Sequence, residues 1–270
     1  MEAILYEIIF IIGALIGSFC TLAVYRIPLG KDITHERSFC PNCNHRLGFW
    51  DLIPIVSYIA LGGKCRYCSQ KIRIRYLIYE ILSGLLFVLL ALSMNIHIVD
   101  LAVNPSEILT KVIYMIFISL FFISLLLIAG IDKENIEISK PVLIFGMITL
   151  GLYIIYLYIL KSFNVYRYAI YLIFMLIIII IDTLLLKKKH ISNYTLQTLM
   201  LWIYMLSFTN RDVMLFTTIA TLLLVAIHTL SHKLESIGKE HKTELKVPIG
   251  FYMVIGNIIF IIVNNFINYY

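Results

Sequence analysis

The chain has 270 residues, of which 61% are hydrophobic and 14% are charged, and its mean hydropathy is +0.92. A soluble domain usually carries about 45–50% apolar and about 25% charged residues, so this composition excludes a soluble globule and a disordered chain. It also excludes a nucleic-acid-binding domain that works through surface charge, although the formal net charge is +6. We interpret the basic excess as a sign of membrane topology and the chain as an integral membrane protein.

Eight apolar runs are long enough, or nearly so, to cross a bilayer core of about 30 Å, which takes roughly 20 helical residues. The runs do not alternate apolar and polar residues as barrel strands do, so they predict helices. The sixth run is the shortest. The predicted fold is an all-α polytopic membrane protein with about eight transmembrane helices, near residues 3–25, 76–95, 109–131, 141–160, 165–186, 194–209, 212–231 and 248–268.

The basic residues fall mainly on one side of the predicted membrane. Eighteen of the 22 Lys and Arg lie in the odd-numbered loops, and nine of them lie in the first loop, residues 26–75. Basic loops face the cytoplasm, which predicts cytoplasmic odd-numbered loops and both termini outside. The first run lacks a basic n-region and a small-residue cleavage site, and more spans follow it, so we expect it to be retained rather than removed as a signal peptide.

The first loop also holds four of the five cysteines, as two CxxC pairs separated by 21 residues. Two such pairs can supply the four thiolates of a closed tetrahedral zinc site, and disulfides rarely persist in the cytoplasm. Metal binding would also help to fold a loop that has little core of its own. We predict a structural zinc ion, with unpaired thiols or a redox pair as the alternatives. The predicted ligands are Cys40, Cys43, Cys65 and Cys68.

No linker rich in Pro, Gly or Ser separates domains. We therefore divide the chain into a first transmembrane helix (1–25), a cytoplasmic zinc loop (26–75) and a seven-helix membrane domain (76–270). Within the last of these, Glu80 is expected to pair with Arg75 or Arg73 and so to hold the loop against the helices.

Motifs at both ends of the chain resemble one known family. Gly17-Ser18-Phe19 and Tyr25-Arg26-Ile27-Pro28 precede the cysteine pairs, and Asp51-Leu52-Ile53-Pro54 lies between them. Near the other end stands Pro248-Ile249-Gly250-Phe251. This order resembles the type IV prepilin leader peptidase/N-methyltransferases, membrane aspartic peptidases of the Gly-x-Gly-Asp type. The resemblance is strong over residues 10–90 and clear again at 247–257.

The resemblance implies an enzyme of the bacterial cytoplasmic (inner) membrane that serves type IV pilus assembly or protein secretion. It would cleave the leader of prepilins or pseudopilins at the cytoplasmic face and methylate the new N-terminus with S-adenosylmethionine. Its partners would be these substrates and the lipid bilayer, with no nucleic acid. The family's peptidase step uses two aspartates, because one carboxylate must activate water while its neighbour donates a proton.

Asp132 resembles the first of these aspartates, since it follows an apolar run and precedes a charged turn at the cytoplasmic end of the third span. Asn193 stands where the resemblance places the second aspartate, and no Gly-x-Gly precedes it. An Asn side chain does not transfer protons as a carboxylate does. Asp182 in the fifth span is an alternative acid, unless it pairs with Lys187, Lys188 or a neighbouring helix.

Two further hypotheses remain open at this stage. One is a catalytically degraded paralogue, which either keeps methyl transfer alone or binds prepilins or assembly proteins without cutting them. The other is an unrelated zinc-loop membrane adaptor, which would account for the cysteines but not for the motif at 247–257. The sequence points to no residues that would hold the methyl donor, since no glycine-rich nucleotide loop is present.

Overall fold

The computed structural model of the protein describes residues 2–94, 105–161, 165–189, 194–235 and 247–269. Within these residues the regular secondary structure is helical, apart from two isolated β-bridges in the first loop. Two short 3-10 helices, Ile27–Leu29 and Phe49–Asp51, lie in the first loop. The α-helices are, in chain order, α1 (Glu2–Arg26), α2 (Val56–Ala60), α3 (Arg75–Ser93), α4 (Pro105–Asn135), α5 (Lys140–Ile159), α6 (Val165–Lys189), α7 (Tyr194–Phe208), α8 (Arg211–Glu235) and α9 (Ile249–Tyr269).

Seven of the described helices are long and apolar enough to cross a membrane, namely α1, α3, α4, α5, α6, α8 and α9. The sixth predicted run corresponds to α7, which has 15 residues. At a rise of about 1.5 Å per residue α7 measures only about 22 Å, which is shorter than a bilayer core of about 30 Å. The prediction of an all-α integral membrane protein is therefore confirmed. The described part of the sixth predicted span is a helix of 15 residues.

The chain forms two compact units, Met1–Ile116 and Phe117–Tyr270. In the first unit, α1 and α3 cross closely because α1 carries Gly13 and Gly17 on the face that meets α3. A Cβ atom on Gly13 would lie 2.8 Å from the carbonyl oxygen of Ser83, and one on Gly17 would lie 2.7 Å from the Ser83 Cβ. Small residues allow helix backbones to approach in lipid, where apolar burial does not drive helices together.

In the second unit, an aromatic cluster joins α4, α5 and α7. The rings of Phe121 and Phe208 stack at 4.7 Å, and Tyr204 meets Phe121 edge-on at 5.1 Å. Tyr204 is fully buried, with its hydroxyl 2.8 Å from the Ser124 Oγ. Gly146 leaves room for it, since a Cβ atom there would lie 2.7 Å from the Tyr204 ring. Side-chain packing therefore holds the short helix α7 in this unit.

The first loop is folded back at its start by Arg26, the last residue of α1. Arg26 is only 3% exposed. Its guanidinium donates hydrogen bonds to the carbonyl oxygens of Asp32 and Glu36, both at 2.9 Å, and of Arg37 at 3.2 Å. A planar guanidinium offers several donors in a fixed fork, so a single side chain can gather three carbonyl groups.

Candidate functional site

The four cysteines of the first loop come together in one cluster. The sulfur atoms all lie within 4.8 Å of one another, and the Cys40 and Cys68 sulfurs are 3.8 Å apart. A tetrahedral zinc ion with Zn–S bonds of about 2.3 Å needs sulfur separations of about 3.8 Å, so the donor set and its size fit zinc. Four protein ligands leave no position for water or substrate, and a metal here would be structural. The cluster consists of Cys40, Cys43, Cys65 and Cys68.

The two CxxC pairs share one backbone geometry. The amide N–H of the first cysteine donates to the carbonyl five residues later, at 3.0 Å for Cys40 and 2.9 Å for Cys65. The residue four positions after it has a positive φ in both turns, 56° at Asn44 and 58° at Ser69. One isolated antiparallel bridge closes each turn. Both pairs therefore form the same tight knuckle, which turns its two sulfurs toward a common point.

A buried carboxylate connects the second knuckle to the rest of the loop. Asp51 accepts hydrogen bonds from the Arg66 Nε at 2.6 Å, the Tyr67 hydroxyl at 3.2 Å and the Gly48 amide at 3.1 Å. Its side chain is 5% exposed. Burial raises the pKa of Asp51, but the hydrogen bonds from Arg66 and Gly48 outweigh burial, so the pKa lies below its usual value. The carboxylate thereby fixes the 3-10 turn Phe49–Asp51 against the knuckle.

Glu80 ties the same loop to α3. The Glu80 side chain is buried, and its Oε2 accepts the amide N–H of Ile55 at 2.7 Å. Ile55 has φ 64° and ψ −53°, and the Val56 amide donates to the Pro54 carbonyl at 2.6 Å, which makes a γ-turn. This turn is rare and strained, above all at a β-branched residue. Glu80 therefore holds the loop through the amide of Ile55. Its pairing with Arg75 or Arg73 stays a prediction.

The second unit contains a buried carboxylate at a helix end. Asp132 lies three residues before the end of α4 and is 0% exposed. Its Oδ2 accepts the amide N–H of Phe251 at 2.9 Å, and its Oδ1 accepts the Tyr194 hydroxyl at 2.9 Å. The Tyr194 oxygen in turn accepts the amide N–H of Ile249 at 2.8 Å. Asp132 thus faces the first turn of α9, where unpaired N–H groups and the helix dipole favour a negative charge.

A glycine allows α9 to approach this carboxylate. A Cβ atom on Gly250 would lie 3.1 Å from the Asp132 Oδ2 and 3.3 Å from the Ile138 side chain. On the next residue, the Phe251 ring has the Lys133 ammonium 4.8 Å from its centroid. The segment 248–251, which carries the C-terminal resemblance, is therefore the segment that contacts Asp132.

Of the other two candidate residues, Asn193 and Asp182, the structure describes only Asp182. Asn193 lies outside the described residues, although Tyr194 follows it directly. Asp182 on α6 is buried and accepts the ammonium group of Lys140 at 2.6 Å, while its Oδ1 has no partner among the described residues. Lys140 is the first residue of α5, so the partner of Asp182 lies on a neighbouring helix.

Tyr194 is the member of this arrangement that the sequence did not indicate. It is 62 residues from Asp132, and a tyrosine at the start of an apolar run is typical of a membrane interface. Only the fold brings its hydroxyl to a carboxylate.

Comparison with known proteins adds to this geometry. Residues 11–94, which include the cysteine cluster and Glu80, match the family described as the bacterial peptidase A24 N-terminal domain. The prepilin leader peptidase/N-methyltransferase of Myxococcus xanthus is 42% identical over 79 residues, which are 29% of this chain and 24% of that protein. Over these residues the chain is similar to the prepilin leader peptidases.

Two further relatives carry the same name. The Vibrio cholerae protein is 35% identical over 89 residues, or 30% of this chain and 35% of that protein. The Bacillus subtilis protein is 33% identical over 140 residues, or 52% of this chain and 50% of that protein. The chain thus spans between about a quarter and a half of the length of these family members. No solved structure matches it.

Proposed function

We propose that this protein is a prepilin leader peptidase, an enzyme that processes type IV prepilins or pseudopilins at the cytoplasmic face of the bacterial inner membrane. It removes the leader peptide and methylates the new N-terminus. The similarity of residues 11–94 to the family's N-terminal domain, and to relatives of that name, supports the general activity. The observation that carries the peptidase assignment is Asp132, a buried carboxylate at the end of α4 whose two oxygens are held by α9 and by Tyr194.

In this proposal Asp132 acts as a general base or acid on the water that attacks the leader peptide bond. The Phe251 amide holds Oδ2 in place, which fixes the direction of the carboxylate. Oδ1 is the oxygen available for chemistry, because its partner is a side-chain hydroxyl that can rotate away. Displacement of the Tyr194 hydroxyl by water would give the geometry that proton transfer needs, within hydrogen-bond reach.

The peptidase step also needs a second proton-transferring group. Asn193 cannot fill that role as a carboxylate does. Asp182 is the alternative acid, and its unpartnered Oδ1 supports it, whereas the ion pair from Lys140 to Oδ2 favours a structural role.

The proposal includes two cofactors. A zinc ion bound by the four cysteines would supply no chemistry beyond holding the knuckles of the first loop together. S-adenosylmethionine would be the methyl donor, on the strength of the relatives' names, and we assign no residues to it. The cytoplasmic placement of the odd-numbered loops and the division at residues 25 and 75 remain predictions.

One observation favours a second candidate, the degraded paralogue. Asp132 is fully buried and both of its oxygens are already bonded, which is also how a purely structural carboxylate is held. Together with Asn193, this arrangement suits a protein that binds prepilins or assembly proteins without cleaving them, or one that only transfers methyl groups.

The intact mass of a prepilin, co-expressed in cells that lack other prepilin peptidases, tests the choice. We expect the unchanged protein to remove the leader and Asp132→Ala to leave it in place. Asp212→Ala is the matched control, because Asp212 is an exposed acid in the first turn of α8. A leader that stays intact with the unchanged protein, and is removed by Asn193→Asp, would instead establish the degraded paralogue and locate its lesion.

A further inference from the structure

The zinc loop presents a run of large apolar side chains to its surroundings. Over eleven residues of sequence, Phe49 is 76% exposed, Trp50 73%, Leu52 42%, Val56 59% and Ile59 67%. Single exposed apolar residues are ordinary, but five of them within eleven residues of sequence indicate a segment that another apolar phase covers. We call these five side chains the 49–59 patch.

The segment that carries the patch is hydrogen-bonded to α3, a helix long and apolar enough to cross a membrane. Ile55, in the middle of the segment, donates its amide N–H to Glu80, which is the sixth residue of α3. Five residues of helix rise about 7–8 Å, so this contact falls within the first two turns of α3. The span itself runs from Arg75 to Ser93. The loop is therefore pinned beside the end of a membrane helix instead of standing away from it.

The part of α3 near Glu80 also exposes apolar side chains. Ile78 is 44% exposed and Leu82 is 59% exposed, and both lie within one turn of Glu80. Such residues on a membrane-crossing helix face lipid. Val56 directly follows the residue that Glu80 binds, so this member of the patch lies next to the same part of α3.

The loop that carries the patch has an excess of positive charge, which an anionic membrane surface attracts. Residues 26–75 contain nine Lys and Arg against three Asp and Glu. One of the three acids, Asp51, is already bound to Arg66. Aromatic rings flanked by basic side chains are the composition of a segment that lies in the headgroup region, where each nearby Lys or Arg adds about 1 kcal/mol.

From these observations we infer that the 49–59 patch inserts into the headgroup region of the bilayer at the end of α3, and that the surrounding basic residues bind anionic lipid headgroups. The hydrogen bonds of Asp51 and the contact between Ile55 and Glu80 hold the segment in place. The loop would then be attached to the membrane at a third point besides α1 and α3. This inference is independent of the proposed peptidase activity.

Trp50 is a natural reporter of the insertion, because the chain has only two tryptophans, Trp50 and Trp202. The full chain carrying Trp202→Phe is reconstituted into vesicles of phosphatidylcholine and phosphatidylglycerol. We expect lipids brominated near the headgroup end of their acyl chains to quench Trp50 emission more than lipids brominated near the methyl end. Aqueous acrylamide should quench it weakly. Vesicles of phosphatidylcholine alone should reduce the bromolipid quenching.

Two results would overturn the inference. Strong acrylamide quenching without bromolipid quenching would put Trp50 in water. Protection from both quenchers would mean that protein covers the patch, either a second copy or a partner such as the apolar segment of a prepilin. If Trp202→Phe fails to fold, the emission of the unchanged protein minus that of Trp50→Phe measures the same quantity.

Discussion

Tyr194 and Asp132 are 62 residues apart in the chain, and the Tyr194 hydroxyl donates a 2.9 Å hydrogen bond to the Asp132 Oδ1. The same hydroxyl accepts the amide N–H of Ile249 at 2.8 Å. One oxygen atom therefore links the end of α4 and the starts of α7 and α9. The arrangement satisfies an N–H group that the first turn of α9 cannot pair internally.

Replacing this tyrosine tests the link. Tyr194→Phe removes the hydroxyl and leaves both the Ile249 amide and the Asp132 Oδ1 without that partner. We expect the free energy of unfolding to fall by about 1–3 kcal/mol, the cost of unsatisfied buried polar groups. Thermal unfolding of the purified protein measures it. Tyr166→Phe is the matched control, since Tyr166 is 79% exposed. Equal unfolding temperatures for the two variants would show that the link contributes nothing.

The zinc assignment predicts a loss of metal. Cys40→Ser and Cys68→Ser each remove one of four thiolates, so purified variants should lose the single bound zinc and the first loop should become sensitive to protease. Elemental analysis of the protein checks the metal content. Cys20→Ala should keep its zinc, because Cys20 is buried in α1 and is not a member of the cysteine cluster. Unchanged zinc in both serine variants would refute the site.

The contact between Glu80 and Ile55 predicts that replacing Glu80 exposes the segment 49–59 to protease. Glu80→Ala leaves the Ile55 amide without its acceptor, at a cost of about 1–3 kcal/mol, and releases a strained turn. We expect faster proteolysis between residues 49 and 59. Glu80→Gln keeps an acceptor oxygen and should fall between Glu80→Ala and the unchanged protein. Cleavage at the original rate in Glu80→Ala would contradict the role given to Glu80.

The ion pair between Lys140 on α5 and Asp182 on α6 predicts that the effects of replacing the two residues on the free energy of unfolding are not additive. Lys140→Met leaves the buried Asp182 without its counter-charge. We expect the free energy of unfolding to fall by as much as about 3 kcal/mol. This is the low end for a buried ion pair, because the Lys140 side chain is 30% exposed. Adding Asp182→Leu removes the orphaned charge and should recover most of that loss. A double-mutant cycle by thermal unfolding measures the coupling. Simple additivity would mean that the pair contributes little.

The sequence predicted the cysteine cluster and the helices, because both depend on residues that are close together in the chain. Each CxxC pair brings two sulfurs together, because a knuckle is built from residues that are near in sequence. Two such pairs in one short loop then predict a single site with four sulfurs. Apolar runs likewise predict helices, and seven of the described helices are long enough to cross a membrane. The sixth run, predicted at 194–209, is the helix α7, Tyr194–Phe208, and is held by packing around Tyr204.

Long-range partners could not be predicted in the same way. An apolar run shows that a helix lies in lipid, but not which helices are its neighbours. The partner of Asp182 is Lys140 on α5, although lysines closer in sequence were equally plausible. Glu80 binds a backbone amide, which no side-chain pattern reveals. The contacts of Asp132 with Phe251 and Tyr194 depend on the same long-range packing.

Cleavage of a purified prepilin by the purified protein tests the central claim, that Asp132 carries the peptidase step. The protein is reconstituted into vesicles with S-adenosylmethionine, and the intact mass of the pilin reports leader removal and methylation separately. We expect the unchanged protein and Asp212→Asn to give shortened, methylated pilin. Asp132→Asn should slow cleavage by about 100-fold or more, as expected when a general acid–base group is lost. Equal cleavage rates for Asp132→Asn and the unchanged protein would contradict the central claim.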